Sequence, residues 1–137
     1  AGEGNEQEFL VSGQHVRFCI YYTCLNNHDP KNIIAAISIT ASTGAFITLL
    51  CNQIASEPFA VIGRQGYIAC IVNKLPLAPG SYILNLSLCQ NDIMQDWIQE
   101  AVSLTVEGGD FYGTGRLPPA THGGVFFEQR WTRGHQR

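Results

Sequence analysis

The strongest constraint on this chain is a period-two alternation of apolar and polar residues, repeated in segment after segment. Over residues 14–25, Val16, Phe18, Ile20, Tyr22 and Cys24 fall on one parity, while Arg17, Cys19, Tyr21 and Thr23 fall on the other. Successive side chains of a β-strand point to opposite faces of its sheet, so this pattern makes a half-buried strand and would scatter apolar groups around a helix. Residues 33–42 repeat it, setting Ile33, Ala35, Ile37 and Ile39 against Ile34, Ala36, Ser38 and Thr40. Strands are expected again at 45–51, 66–73, 81–90 and 99–107. In the last two, Tyr82, Leu84, Leu86 and Leu88 and then Val102, Leu104 and Val106 point inward. Turn chemistry separates them: NNHDPKN with Pro30, Ser42-Thr43-Gly44, and the run Leu75-Pro76-Leu77-Ala78-Pro79-Gly80. The segment NDIMQDWIQE spaces Asp92, Asp96 and Glu100 four apart and reads as a single helical turn inside a loop. Seven or eight strands without a long amphipathic helix predict an all-β, antiparallel β-sandwich of jelly-roll type.

A length of 137 residues suits one domain spanning 1–137. The polar, acidic start AGEGNEQE is expected to be a flexible N-terminus over 1–8 and has none of the marks of a secretory leader. No apolar run reaches the ~20 residues that cross a bilayer, so no direct membrane insertion is expected. A formal charge of −3 lacks the electrostatic footprint of a nucleic-acid binder. The late arginines Arg116, Arg130, Arg133 and Arg137 suit a solvated tail. Five cysteines, an odd number without a CxxC pair or a histidine at ligand spacing, read as free thiols in a reducing compartment rather than as a zinc site. No metal and no cofactor are expected.

The last thirty residues break the pattern. Residues 108–124 hold six glycines and two prolines, which excludes a regular element and predicts an irregular arm. Residues 125–131, Val-Phe-Phe-Glu-Gln-Arg-Trp, then read as a C-terminal strand. A strand at the end of a long connection can pack on its own sheet or on that of a second copy, and exchange of such a strand builds a homodimer. Phe111, Tyr112, Phe127 and Trp131 are the candidate arm and dimer residues.

Catalytic signatures are missing. No GxxxxGK[ST] loop or GxSxG elbow occurs, and His15, His28, His122 and His135 are scattered. The carboxylates near Trp97 lack the DxDxDG spacing of a calcium loop. Aromatic and small polar residues carry more information. Sugar rings stack their C–H faces on Trp and Tyr, and their hydroxyls need hydrogen-bonding partners at fixed places. Tyr21 points away from the expected core and Trp97 lies in the expected loop. Ser38 and Thr40, Asn85 and Ser87, and Ser103 and Thr105 share outward parities. If their strands are neighbours, they form an uncharged hydrogen-bonding platform. The candidate carbohydrate-binding residues are therefore Ser38, Thr40, Asn85, Ser87, Tyr21 and Trp97.

Three stretches also carry a family resemblance: Val11-Ser12-Gly13-Gln14-His15-Val16 leading into a long strand, KLPLAPGSYILNLSL from Lys74 to Leu88, and GDFYGTGRLPP from Gly109 to Pro119 ahead of the segment ending at Trp131. Over nearly its whole length the chain resembles the C-terminal carbohydrate-binding domain of Wzt, the nucleotide-binding subunit of ABC transporters that export O-antigen polysaccharide. The resemblance implies a jelly-roll sandwich that recognises the terminal part of an O-antigen polysaccharide and gives the transporter its export specificity. It further implies a homodimer with an exchanged C-terminal strand and contact with the transporter's membrane subunit through the parent protein. The expected location is cytoplasmic, at the inner face of the membrane, without ATPase activity in this domain. Two other readings stay open: a dimerisation module without a glycan site, and a glycan-active enzyme on a jelly-roll scaffold.

Overall fold

The computed structural model describes residues 6–23, 31–55, 59–61, 63, 65–90, 96–119 and 122–134. Eight strands and one short helix follow in the order β1 (Glu6–Val11), β2 (Val16–Thr23), β3 (Lys31–Ala41), β4 (Phe46–Cys51), α1 (Asn52–Ala55), β5 (Phe59–Val61), β6 (Gln65–Val72), β7 (Gly80–Gln90) and β8 (Asp96–Glu107). A six-stranded sheet has the order β1-β8-β7-β3-β4, with β5 also on β3, and a second sheet consists of β2 and β6. Their facing sides form one hydrophobic core, so the architecture is the β-sandwich that the alternation predicts. Val16, Ile20, Tyr22 and Ile68 of the small sheet meet Ile33, Ile37, Ile39, Tyr82, Leu84, Leu88, Val102, Leu104 and Val106 of the large one. Each inward set has the parity read from the sequence.

Several boundaries and one element differ from expectation. Residues 6–8 are not part of a loose end: they belong to β1, which pairs parallel with β8 in register from Glu6 opposite Val102 to Val11 opposite Glu107. The sandwich is thus antiparallel except along this edge. The polar start hides the strand because β1 lies at the margin of the sheet, where the ladder rather than burial holds it. The expected helical turn is absent from residues 96–100, which open β8, the longest strand in the fold. Four-residue spacing of acids is a weak helical signal beside a partner strand, and the β8 segment pairs with β7 down to Asp96 opposite Cys89. Asp92 lies outside the described residues, as do Cys24, His28 and Pro30 of the first turn.

Among the described residues, 125–131 form no strand. Val125 makes one isolated bridge to Leu77, and the backbone after it joins no ladder. The hydrogen bonds from Ala78 N–H to the Gly124 carbonyl (2.9 Å) and from Phe126 N–H to the Pro76 carbonyl (2.6 Å) pin the tail to a loop. That loop holds two prolines, which lack the N–H needed to extend a ladder. The same loop seals one end of the sandwich, with Leu75 and Leu77 among the most deeply buried side chains. It is tied to the β1–β2 turn by hydrogen bonds from Gly13 N–H to Leu75 O and from Leu75 N–H to Gln14 O. The Tyr82 hydroxyl donates to the Ala78 carbonyl and fixes the entry into β7.

Candidate functional site

The predicted platform strands are neighbours. In the large sheet, Leu49, Ser38, Asn85 and Ala101 stand in one cross-strand row over β4, β3, β7 and β8. The next row is Phe46, Thr40, Ile83 and Ser103. Ser81 opposite Thr105 opposite Phe9 carries the face on to β1. Ser87 pairs with Ala36 one step beyond Asn85 on the same parity. With strands ~4.8 Å apart, each four-strand row spans about 14 Å. Asn85 and Ser103 are exposed, and Ser38, Thr40, Ser87 and Thr105 are half-buried. Exposed apolar residues border this polar centre: Phe46 and Leu49 on β4, Phe9 and Val11 on β1, with Ile83 between. The inward parity fills the core, so the outward groups sit on a rigid base.

Tyr21 is not part of this surface. It lies on the outer side of the β2–β6 sheet, across the sandwich, opposite Tyr67 at a ring-centroid distance of 5.7 Å. The Arg17 guanidinium donates to the Tyr67 hydroxyl (3.3 Å) and stands 5.5 Å from the centre of its ring. That hydrogen bond holds Arg17 above its ordinary pKa. A shallow cleft of about 390 Å³ runs beside the two tyrosines, lined also by Tyr22, Thr23, Gln65 and Gly66. Trp97 lies in β8 rather than in a loop, at the register shift opposite Leu88 and Cys89; its side chain is outside the described residues.

A third concave surface lies on the arm. Asp110 accepts hydrogen bonds from Gly113 N–H at Oδ1 (2.9 Å) and Gly115 N–H at Oδ2 (2.8 Å), closing a compact turn. Both glycines adopt positive φ, 73° and 82°, the left-handed region that side-chain-bearing residues disfavour. Phe111 is buried with Ala78 and Phe126 in a small second core, under the Lys74 ammonium at 4.3 Å from the ring centre. Tyr112 packs beside them and donates to the Phe127 carbonyl (3.1 Å). Phe111 and Tyr112 therefore anchor the tail to its own chain, whereas Phe127 and Trp131 are exposed. Between turn and tail runs a groove of about 490 Å³.

Parity reasoning found the platform but not its apolar borders, since β1 and the placement of β4 follow from sheet order rather than local pattern. It also passed over Tyr67, although that residue has the outward parity of its strand. The arm groove gives no periodic signal at all. Among the described residues, no helix is long and apolar enough to cross a membrane.

Residues 1–117 match the Wzt C-terminal domain family. Among solved structures, the chain is similar to the crystal structure of the C-terminal domain of wzt, with a TM-score of 0.63 and 16% identity over 91% of this chain and 73% of that one. A family 123 glycoside hydrolase from Clostridium perfringens shares 13% identity at a TM-score of 0.47, over 75% of this chain and 22% of that one. No curated protein sequence matches.

Proposed function

The chain belongs to the Wzt C-terminal domain family, and we propose that it is a non-catalytic module that binds the terminal part of an O-antigen polysaccharide and so gives an ABC transporter its export specificity. The observation that carries the reading is the row of uncharged hydrogen-bonding groups, with Ser38 directly opposite Asn85, set across adjacent strands between exposed apolar residues. Such a surface matches a neutral glycan. Amide and hydroxyl groups replace water around the sugar hydroxyls, and apolar borders receive the C–H faces of the rings. Shallow contact of this kind gives weak affinity per ring, so a polymer gains by covering several rows. The working location under this reading is the cytoplasmic face of the membrane, beside the transporter's membrane subunit.

A homodimer fits the same reading. The tail is held to its chain chiefly at 124–127, through contacts that a partner's tail would make identically, and Phe127 is left exposed. Sedimentation at micromolar concentration tests this, and a monomer would remove it. The glycan reading is tested by titrating the cognate polysaccharide into wild type and Asn85→Leu. The substitution leaves the exposed position filled and the fold intact, and it removes the amide. Binding is expected to weaken by about tenfold, the equivalent of one or two hydrogen bonds. Unchanged affinity would rule out this face.

A further inference from the structure

We infer that the groove between the arm and the tail is a second carbohydrate-binding site, specific for an anionic sugar residue, one carrying a carboxylate or a phosphate. Its lining includes Tyr112, Thr114, Arg116, His122, Gln129 and Trp131. The inference shares with the functional reading only the premise that the ligand is a sugar; the surface lies on a different part of the molecule and has a different charge character.

Trp131 is 86% exposed, yet its ring is held in place. The indole Nε1–H donates to Gln129 Oε1 (2.8 Å), and Gln129 Nε2–H donates to the Tyr112 hydroxyl (3.1 Å). Tyr112 in turn donates to the Phe127 carbonyl and packs on the Phe111–Phe126 core. The chain of bonds runs from the buried cluster out to an exposed aromatic face, which is thereby ordered before any ligand arrives. An aromatic platform fixed in advance loses little entropy when a sugar ring stacks on it.

The other wall supplies charge. The Asp110 clamp fixes the Gly113–Gly115 turn, and Arg116 N–H donates to the Thr114 hydroxyl (3.2 Å), so the backbone presenting Arg116 is ordered as well. Among the described residues the Arg116 guanidinium has no ion-pair partner, and no carboxylate lines the groove. Both oxygens of Asp110 are occupied by loop amides. His122 donates from Nδ1 to the Gly123 carbonyl (2.7 Å), and among the described residues Nε2 makes no hydrogen bond. A planar guanidinium with its donors free matches the two oxygens of a carboxylate or phosphate. An aromatic face and such a cation in one groove fit a ring and its anionic substituent together.

The test follows the indole N–H resonances by NMR in the 137-residue chain, which has two tryptophans, so that Trp97 serves as the internal reference. Sodium glucuronate, glucose 6-phosphate and glucose are titrated at matched ionic strength. The Trp131 resonance is expected to move with at least one of the two anionic sugars at a concentration about tenfold lower than with glucose, the effect of one charge-assisted contact. The anion giving the tighter response identifies the substituent. Arg116→Gln, at an exposed position, should bring the anionic sugars to the level of glucose, while Asn85→Leu should leave the response unchanged. Equal responses to glucose and to both anions, a silent Trp131, or a preference that survives Arg116→Gln would overturn the inference. If the groove is silent while Asn85→Leu still weakens polymer binding, the second site falls and the sheet-face reading stands.

Discussion

Replacing Gly109 by alanine should be among the most damaging single-methyl additions in the protein. Gly109 is buried where the arm leaves β8. A Cβ built there would stand 2.2 Å from the Ser12 carbonyl oxygen, 2.5 Å from Val11 Cγ1 and 3.2 Å from the Ser12 carbonyl carbon. Carbon and oxygen atoms normally stay at least about 3.3 Å apart, so arm and turn would have to separate by roughly 1 Å. Ser12 has little freedom to yield. Its N–H bonds Glu107 O (2.9 Å), its hydroxyl donates to Leu77 O (2.7 Å), and the following Gly13 N–H bonds Leu75 O (2.8 Å). Overpacking a rigid site costs up to about 3 kcal/mol, and lengthening one of these bonds adds about 1 kcal/mol. The expected loss of about 3–4 kcal/mol is a large share of the 5–15 kcal/mol typical of a domain. Urea unfolding followed by circular dichroism should show a midpoint lowered by at least about 1 M, given m-values of about 1–3 kcal/mol/M. Gly44→Ala is the control, because Gly44 has open space around it and only a positive φ of 101° to protect, a penalty of about 1–2 kcal/mol. If Gly109→Ala proves no more destabilising than Gly44→Ala, the close approach of arm and turn is not the constraint described.

Leu88→Ala removes a fully buried side chain near the C-terminal end of β7 and should cost about 2–5 kcal/mol in the same unfolding assay. Tyr82→Phe leaves the Ala78 carbonyl without its hydroxyl donor and should cost about 1 kcal/mol at neutral pH. Burial raises the pKa of both Cys70 and Tyr82 above their ordinary values of 9.0 and 10.0. The folded state therefore favours their protonated forms. Stability is full below the ordinary pKa and declines as pH climbs past about 9 for the thiol and about 10 for the phenol. Unfolding midpoints measured from pH 7 to 11 should fall at the alkaline end, with a shallower fall above pH 10 in Tyr82→Phe.

The alternation in β2, β3, β7 and β8 was enough to read the sandwich, because each of these strands buries one face and parity there is enforced by the core. Ser38 and Asn85 were legible for the same reason, since what is not inward on such a strand is outward. Their adjacency was not legible, because sheet order depends on pairings far apart in sequence. β1 escaped notice because its first half, Glu6-Gln7-Glu8, is polar, and β5 because three residues carry no period. The tail misled in the opposite direction. Val125-Phe126-Phe127 has strand propensity, but Phe126 is consumed by the small cluster with Phe111, and the prolines of the facing loop cannot continue a ladder. Trp131 and Arg116 line one groove because Asp110 folds the glycines into a turn, a proximity no periodicity announces.

The parallel edge pair has a consequence for how the molecule is assembled. Glu6 finds its place beside Val102, across almost the entire chain, and parallel neighbours cannot be joined by a tight hairpin. β1, made before the strand it pairs with, must wait until β8 has been synthesised and docked on β7, and loops of that length form slowly. Until then the outer backbone groups of β8 present an open template to any extended peptide.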